Sequence, residues 1–175
     1  EDGSEDLTNS YIFENDENGN VIRRIGFDEN GDPEKYPMEY EYDPNGKETA
    51  AIIYNEDGTL WERRERAYDS SGNILEMSTV SPDGTKTVEM AYVYDDKGRP
   101  QEMTAYDKGK VSVRYVYEHD DKGQVTKEYT YDGDGMQMSE ETRTYDEAGN
   151  LIKCVYEDIK NGTTTTEEYK YGPIE

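Results

Sequence analysis

Few residues of this chain have the type and spacing that catalysis requires. His119 is the only histidine and lies among carboxylates in Glu118-His119-Asp120-Asp121, but no Ser or Cys is placed by sequence to serve as its nucleophile. Cys154 is the only cysteine, which excludes an internal disulfide and a cysteine metal cluster. A glycoside hydrolase needs two acids at a fixed separation in a cleft, and 42 Asp and Glu residues give no pair priority. We therefore expect no catalytic residues and no enzyme, with a hydrolase as the less favoured alternative.

Two turns approach a calcium-loop pattern without completing it. Glu14-Asn15-Asp16-Glu17-Asn18-Gly19 is near D-x-D-x-N-G, and Asp132-Gly133-Asp134-Gly135 matches it more loosely. The twelfth position of the first turn is Ile25, where a calcium loop has Glu. The prediction is no metal site and no cofactor, and weak calcium binding at a turn stays an alternative.

Tyrosine is the residue type whose pattern favours binding, with 17 copies in 175 residues. Rows of exposed rings on a rigid sheet can stack sugar rings, grip extended peptides or self-associate. The competing interpretation is that the rings pack on one another across strands and stabilise the sheet. The candidate ligand-binding residues are Tyr40, Tyr42, Tyr68, Tyr92, Tyr94, Tyr115, Tyr117 and Tyr145.

Glycines reveal a repeat of about 26 residues that occurs six times. First turns end at Gly19, Gly46, Gly72, Gly98, Gly123 and Gly149, and second turns at Gly31, Gly58, Gly84, Gly109, Gly135 and Gly162. A half unit of about 12 residues has room for one strand and one short turn, and not for a helix.

Most turns read aromatic-Asp-x-x-Gly, as in Tyr42–Gly46, which is typical of a hairpin loop with Gly at a positive φ. Tyr106-Asp107-Lys108-Gly109 is one residue shorter and predicts a two-residue turn. Tyr117–Gly123 has two extra residues and predicts a longer turn that contains His119. Pro33 and Pro37 predict a bulge or an edge strand after Gly31.

The predicted fold class is all-β: an antiparallel meander of about 13 strands, forming a long, twisted and largely single-layer sheet. A curled open barrel or a sandwich is the alternative. Alternation across the turns predicts that nearly all aromatic side chains share one face, including Tyr42, Tyr54, Tyr68, Tyr94, Tyr106, Tyr129, Tyr131 and Tyr145. Trp61 is expected on the opposite, mostly polar face. Residues 1–10 are predicted to be a flexible acidic segment and 11–175 a single β-repeat domain.

The charge limits the choice of partners. A net charge of −23 repels phosphate backbones and anionic lipid surfaces, so nucleic acid is not an expected partner. No stretch approaches the roughly 20 apolar residues that span a bilayer, so membrane insertion is not expected either. The first residue is Glu1, and whether a leader or lipid anchor precedes it is left open.

The pattern Tyr-Asp-x-x-Gly-Asn-hydrophobic, as in Tyr68–Ile74 and Tyr145–Leu151, resembles the YD repeats of bacterial Rhs and toxin-complex proteins. The resemblance extends from about Tyr11 to Tyr171. It implies a β-sheet of repeats, which in that family spirals into a shell around a toxic cargo domain, and a bacterial origin. Six units are too few to enclose a cargo, so encapsulation is not expected of this chain.

A weaker resemblance links Tyr11–Gly19 and Gly26–Gly31 to the choline- and glucan-binding repeats of Gram-positive surface proteins, whose Trp-plus-Tyr boxes are matched here by Trp61 alone. The sequence thus predicts a non-enzymatic, secreted or cell-surface bacterial scaffold or binding protein that uses a tyrosine-rich face. A cell-wall carbohydrate-binding module is the alternative. Expected partners are a glycan or another surface protein, and self-association is compatible with the pattern.

Overall fold

A computed structural model describes residues 10–28 and 30–171 of the chain. The predicted acidic segment, 1–10, therefore lies almost entirely outside the described residues. Within them there are strands and turns and no helix. The strands are β1 (Ile12–Asn15), β2 (Val21–Ile25), β3 (Met38–Tyr42), β4 (Glu48–Tyr54), β5 (Leu60–Tyr68), β6 (Ile74–Val80), β7 (Lys86–Tyr94), β8 (Pro100–Asp107), β9 (Lys110–His119), β10 (Val125–Asp132), β11 (Gln137–Tyr145), β12 (Leu151–Asp158) and β13 (Thr163–Glu168).

Each strand is hydrogen-bonded to the next one in the chain, which gives one 13-stranded sheet in the order β1 to β13. Its hairpins are antiparallel, for example β3 with β4 and β8 with β9. The predicted all-β antiparallel meander is confirmed, with one sheet rather than the two sheets of a sandwich. The half-unit spacing of the glycines produced this topology because each short segment leaves room only for a strand that returns along its predecessor.

All twelve repeat glycines have a positive φ, between 67° and 90°. Lys108 also has a positive φ, of 50°, and Asp107 pairs directly with Lys110. Two consecutive residues with positive φ define a type I′ hairpin, so the predicted two-residue turn is confirmed.

The described residues divide into two compact units. The first unit comprises residues 10–69 and 76–88, and the second comprises 70–75 and 89–171. Small residues and one proline make up the buried set: Gly26, Pro37, Ala50, Ala51 and Ser78 in the first unit, and Thr104 and Ser139 in the second. No large side chain among the described residues is fully buried, so the strands are held mainly by their hydrogen bonds and by side chains half-buried on the sheet faces.

A β-bulge follows the turn in each of these hairpins and changes which side chains share a face. In β3–β4, Tyr42 pairs with Glu48 but Glu41 pairs with Ala50, so Thr49 is an extra residue. In β4–β5 the extra residue is Trp61, because Ile53 pairs with Glu62 and Tyr54 with Leu60. One inserted residue moves the following side chains to the other face.

The predicted single aromatic face is therefore wrong. In the first unit, Tyr40, Tyr42 and Tyr68 share a face, and the pairing places Tyr54 on the other one. In the second unit, Tyr94 shares a face with Tyr115, Tyr117 and Tyr145, whereas the opposite face carries Tyr106, Tyr129 and Tyr131. Each bulge reverses which alternate residues of the next strand lie on a given face, and a second bulge restores the original arrangement. Strands two apart therefore have the same alternation of side chains, and the strand between them has the opposite one.

The proline-containing segment is irregular rather than a bulged strand. β2 ends at Ile25 and β3 begins at Met38, and between them a turn at Asp28–Asp32 is closed by an isolated bridge between Phe27 and Pro33. Proline lacks the N–H that a ladder requires, which explains why the regular pairing stops here.

Candidate functional site

Aspartate turns follow several strands and are closed by the aspartate side chain. Asp43 Oδ1 accepts hydrogen bonds from the backbone N–H groups of Asn45 at 2.8 Å and Lys47 at 2.9 Å. The same two bonds recur at the corresponding turns of Asp16, Asp95 and Asp120. These bonds favour the ionised carboxylate, and the one from Lys47 is the main reason that the pKa of Asp43 lies below its usual value.

At four of the six first turns, the tyrosine before the turn donates its hydroxyl to a backbone carbonyl of the preceding strand, and Tyr171, after β13, does the same. We call these contacts tyrosine ties. They are Tyr42 to Val21 (2.7 Å), Tyr68 to Glu48 (2.7 Å), Tyr94 to Ile74 (3.0 Å), Tyr145 to Val125 (2.8 Å) and Tyr171 to Leu151 (2.9 Å).

The ties compensate for the bulges. Val21, Glu48, Val125 and Leu151 are each the residue at which the register of the hairpin shifts. A bulge interrupts the ladder and leaves backbone groups without a strand partner, and a half-buried carbonyl without a donor is costly. The phenol supplies that donor, so the repeated tyrosine has a structural function.

The eight predicted binding tyrosines fall into two rows, one in each unit. Tyr40, Tyr42 and Tyr68 share a face in the first unit, and Tyr92, Tyr94, Tyr115, Tyr117 and Tyr145 share a face in the second. All eight are half-buried. Four of them, Tyr42, Tyr68, Tyr94 and Tyr145, form tyrosine ties, so their hydroxyls are already used within the sheet.

The other tyrosines of the rows lie further from the turns. The hydroxyl of Tyr40 donates to Met38 Sδ at 3.0 Å, and that of Tyr92 donates to Met90 Sδ at 3.3 Å. The Tyr92 ring stacks on Tyr94 with centroids 6.4 Å apart and an interplanar angle of 22°. Burial raises the pKa of Tyr117. Tyr40 and Tyr92 thus also use their hydroxyls within the sheet.

A cleft of about 720 Å³ adjoins the row in the first unit. We call it the turn cleft, because the turns at Asp16–Asn20 and Asp43–Lys47 form its sides. Tyr40 and Tyr42 line it together with Asn18, Asn20 and Asn45. Aromatic rings beside amide groups can hold a flat, polyhydroxylated ligand.

Sequence reasoning missed two exposed aromatic side chains of the first unit. Trp61 is 54% exposed and Tyr11 is 47% exposed. Trp61 was expected on a polar face, and the structure places it in the lining of a second cleft together with Arg24, Met38 and Tyr54. The β4–β5 bulge at which Trp61 lies has no signature in the sequence, although its being the only tryptophan was a usable signal.

His119 and Cys154 show no convergence with other reactive groups among residues 10–28 and 30–171. His119 ends β9 opposite Val125 instead of lying in a long turn, because the two extra residues extend the strand. Burial, with a contribution from Glu141, raises the pKa of Cys154 to about 11, which disfavours the thiolate.

The described part of the chain contains no group of three or more His, Cys, Asp or Glu residues that could hold a metal ion. Among the same residues, no helix has the length and apolar character needed to cross a membrane.

The solved structures to which this chain is similar include Tc toxin chains. A chain of the Photorhabdus luminescens Tc holotoxin pore with a mutated TccC3 matches with a TM-score of 0.53 and 14% identity over 90% of this chain and 9% of that chain. The TcdB2–TccC3 structure without its hypervariable C-terminal region matches with a TM-score of 0.38 and 15% identity, over 88% of this chain and 11% of that one. No protein-family model matches the chain, and neither does any curated protein. The chain thus spans about a tenth of these toxin chains. The first match shows that its strand meander also occurs in a toxin complex, in agreement with the YD-repeat resemblance of its turns.

Proposed function

We propose that the chain is a non-enzymatic β-repeat scaffold that presents its tyrosine rows at or outside the surface of a bacterium. The observation that carries this proposal is the series of five tyrosine ties. In each tie, the hydroxyl of a repeated tyrosine bonds to the backbone of the neighbouring strand and so stabilises the sheet. The fold shared with a bacterial holotoxin pore supports an extracytoplasmic scaffold of toxin-complex type.

Charged side chains support the same role, because ion pairs link them both within a strand and across the sheet. Arg63 contacts Glu41 at 2.6 Å and Glu65 at 2.9 Å in the first unit. Arg143 contacts Glu141 at 2.5 Å and Glu128 at 3.2 Å in the second. Such pairs add modestly to sheet stability and leave these groups engaged in structure.

A scaffold built from repeats tolerates the loss of a whole unit, since its stability is roughly a sum over neighbouring repeats. Deletion of residues 124–149 joins Gly123 to Asn150 and preserves the Asp-x-x-Gly pattern of the turn. We expect a folded β-sheet protein with a lower melting temperature. The matched control removes residues 124–136, which joins β9 to β11 and deletes the Val125 carbonyl that accepts from Tyr145, and we expect it to fold less well.

The two deletions are compared by far-UV circular dichroism during heating, and the full chain is assayed with ester, glycoside and peptide substrates. Complete unfolding of the whole-unit deletion would contradict the repeat scaffold. Turnover above that of a heat-denatured sample would contradict the non-enzymatic role.

A carbohydrate-binding module is the second candidate, and the turn cleft favours it. Tyr40 lines that cleft without forming a tyrosine tie, so Tyr40→Ala removes a ring from the cleft and leaves the ties in place. In a pull-down on cell-wall polysaccharide, we expect weaker retention of Tyr40→Ala and unchanged retention of Tyr156→Ala, an exposed tyrosine of β12. Equal retention of both variants would remove this candidate.

A further inference from the structure

The first unit contains a second cleft, of about 590 Å³, which we call the aromatic cleft. Its aromatic lining consists of Tyr11, Tyr36, Tyr54 and Trp61. It lies beside the irregular segment between β2 and β3 and does not involve the tying tyrosines. Its volume is within the range of about 300–1,000 Å³ that is common for ligand pockets.

The rings of this cleft are held in place by neighbouring groups. Tyr36 lies against Gly58 so closely that a Cβ atom at that position would be 2.4 Å from the ring carbon Cζ. Lys35 Nζ lies over the Tyr36 ring at 4.7 Å, and Arg24 Cζ lies over the Tyr11 ring at 4.9 Å. A lining that is fixed before a ligand arrives lowers the entropic cost of binding.

Trp61 is the most informative residue of the cleft. It is the extra residue of the β4–β5 bulge and is 54% exposed. Bulges frequently redirect a side chain next to a functional site. Tyr11, which is 47% exposed, lines the same cleft, so two exposed aromatic rings lie together there, as on a surface that a ligand covers.

The polar groups of the cleft favour an uncharged ligand. Carboxylates from Asp28, Glu34 and Glu56 outnumber the cations of Arg24 and Lys35, and the whole chain carries a net charge of −23. An anion is repelled by this field. Carboxylate oxygens accept hydrogen bonds from the hydroxyl groups of a ligand, and guanidinium and ammonium groups donate hydrogen bonds to the oxygen atoms of those hydroxyl groups.

We propose that the aromatic cleft binds an uncharged oligosaccharide, with the apolar face of a pyranose ring against Trp61. Hydroxyl groups of the sugar bond to Glu34, Glu56 and Arg24 at the rim. The site goes beyond the scaffold role, and it is separate from the tyrosine rows and the turn cleft.

Trp61 allows a direct test, because it is the only tryptophan of the chain and its fluorescence reports on this cleft alone. The full chain is titrated with cello-, chito-, malto- and xylo-oligosaccharides, and with an oligogalacturonate as the anionic comparison. We expect a saturable change in emission with at least one neutral sugar and a weaker response or none to the oligogalacturonate. The absence of a saturable change across the neutral panel would overturn the proposal, and so would preferential binding of the anion.

Calorimetry with the best sugar then locates the site without relying on fluorescence. Trp61→Ala is expected to weaken binding by about tenfold or more, since stacking on one ring is a principal contact. Trp61→Phe retains a ring and should recover part of the affinity. Tyr156→Ala, at an exposed position of β12, is the matched control and should bind as the unaltered chain does. Loss of binding in Tyr115→Ala, in the tyrosine row of the second unit, with retention in Trp61→Ala would place sugar binding in the rows and refute the aromatic cleft.

Discussion

Replacement of Tyr145 by phenylalanine isolates the contribution of one tyrosine tie. The hydroxyl of Tyr145 donates to the Val125 carbonyl at 2.8 Å, and both residues are half-buried. Tyr145→Phe removes this hydroxyl and keeps the ring. A neutral hydrogen bond contributes about 0.5–1.5 kcal/mol net, and a carbonyl left without a donor costs about 1–3 kcal/mol when it is buried.

Because water reaches a half-buried carbonyl in part, we expect Tyr145→Phe to lower the free energy of unfolding by about 1 kcal/mol. For a chain of this size, that corresponds to a decrease of roughly 2–4 °C in melting temperature. Urea unfolding followed by far-UV circular dichroism measures the free energy, and its denaturant dependence should not change.

Tyr156→Phe is the matched control within the same unit. The Tyr156 ring is 41% exposed and forms no tyrosine tie. We expect its unfolding free energy to stay within about 0.5 kcal/mol of the unaltered chain, as for most surface substitutions. Equal destabilisation by both substitutions, or none by Tyr145→Phe, would refute the structural function assigned to the ties.

Two further predictions concern the turns. The pKa of Asp43 in the folded chain lies below its ordinary value of 3.8. The ionised carboxylate therefore contributes its full stabilisation above about pH 3.8, and this stabilisation is lost as the pH falls through the pKa of the folded chain. The difference in unfolding free energy between the unaltered chain and Asp43→Asn should therefore be constant above about pH 5 and shrink below about pH 4; a difference that grows on acidification would contradict this. Lys108 has a φ of 50°, a conformation that asparagine adopts more readily than lysine. Lys108→Asn should raise the melting temperature by roughly 1–3 °C in calorimetry, whereas Gly109→Ala, at a φ of 76°, should lower it.

The turns show how much of the fold is local. Asp43 and Gly46 close their hairpin through groups at most four residues apart, with Gly46 at a φ of 79°. The shorter spacing at Lys108 and Gly109 produced the type I′ turn for the same reason. Such interactions depend only on nearby residues, so they could be predicted from the sequence.

The long turn assigned to His119 was wrong because strand pairing is not local. His119 extends β9 by pairing with Val125, and the Asp120 turn that follows has the ordinary length. The Pro33 region was predicted only in part, since proline indicates where a ladder stops but not where the chain goes next.

By itself the sequence determined the order and the number of strands, because a turn glycine every half unit leaves one topology for the segments between. Only the tertiary structure decided which side chains share a face. Each bulge inserts one residue, and its position depends on the paired strand. Tyr54 and Tyr42 therefore lie on opposite faces, and Trp61 lines a cleft that the spacing of residues in the sequence does not predict. The structural function of the repeated tyrosines also depends on tertiary structure. The Tyr68 hydroxyl reaches the Glu48 carbonyl at the bulge only because β5 lies beside β4.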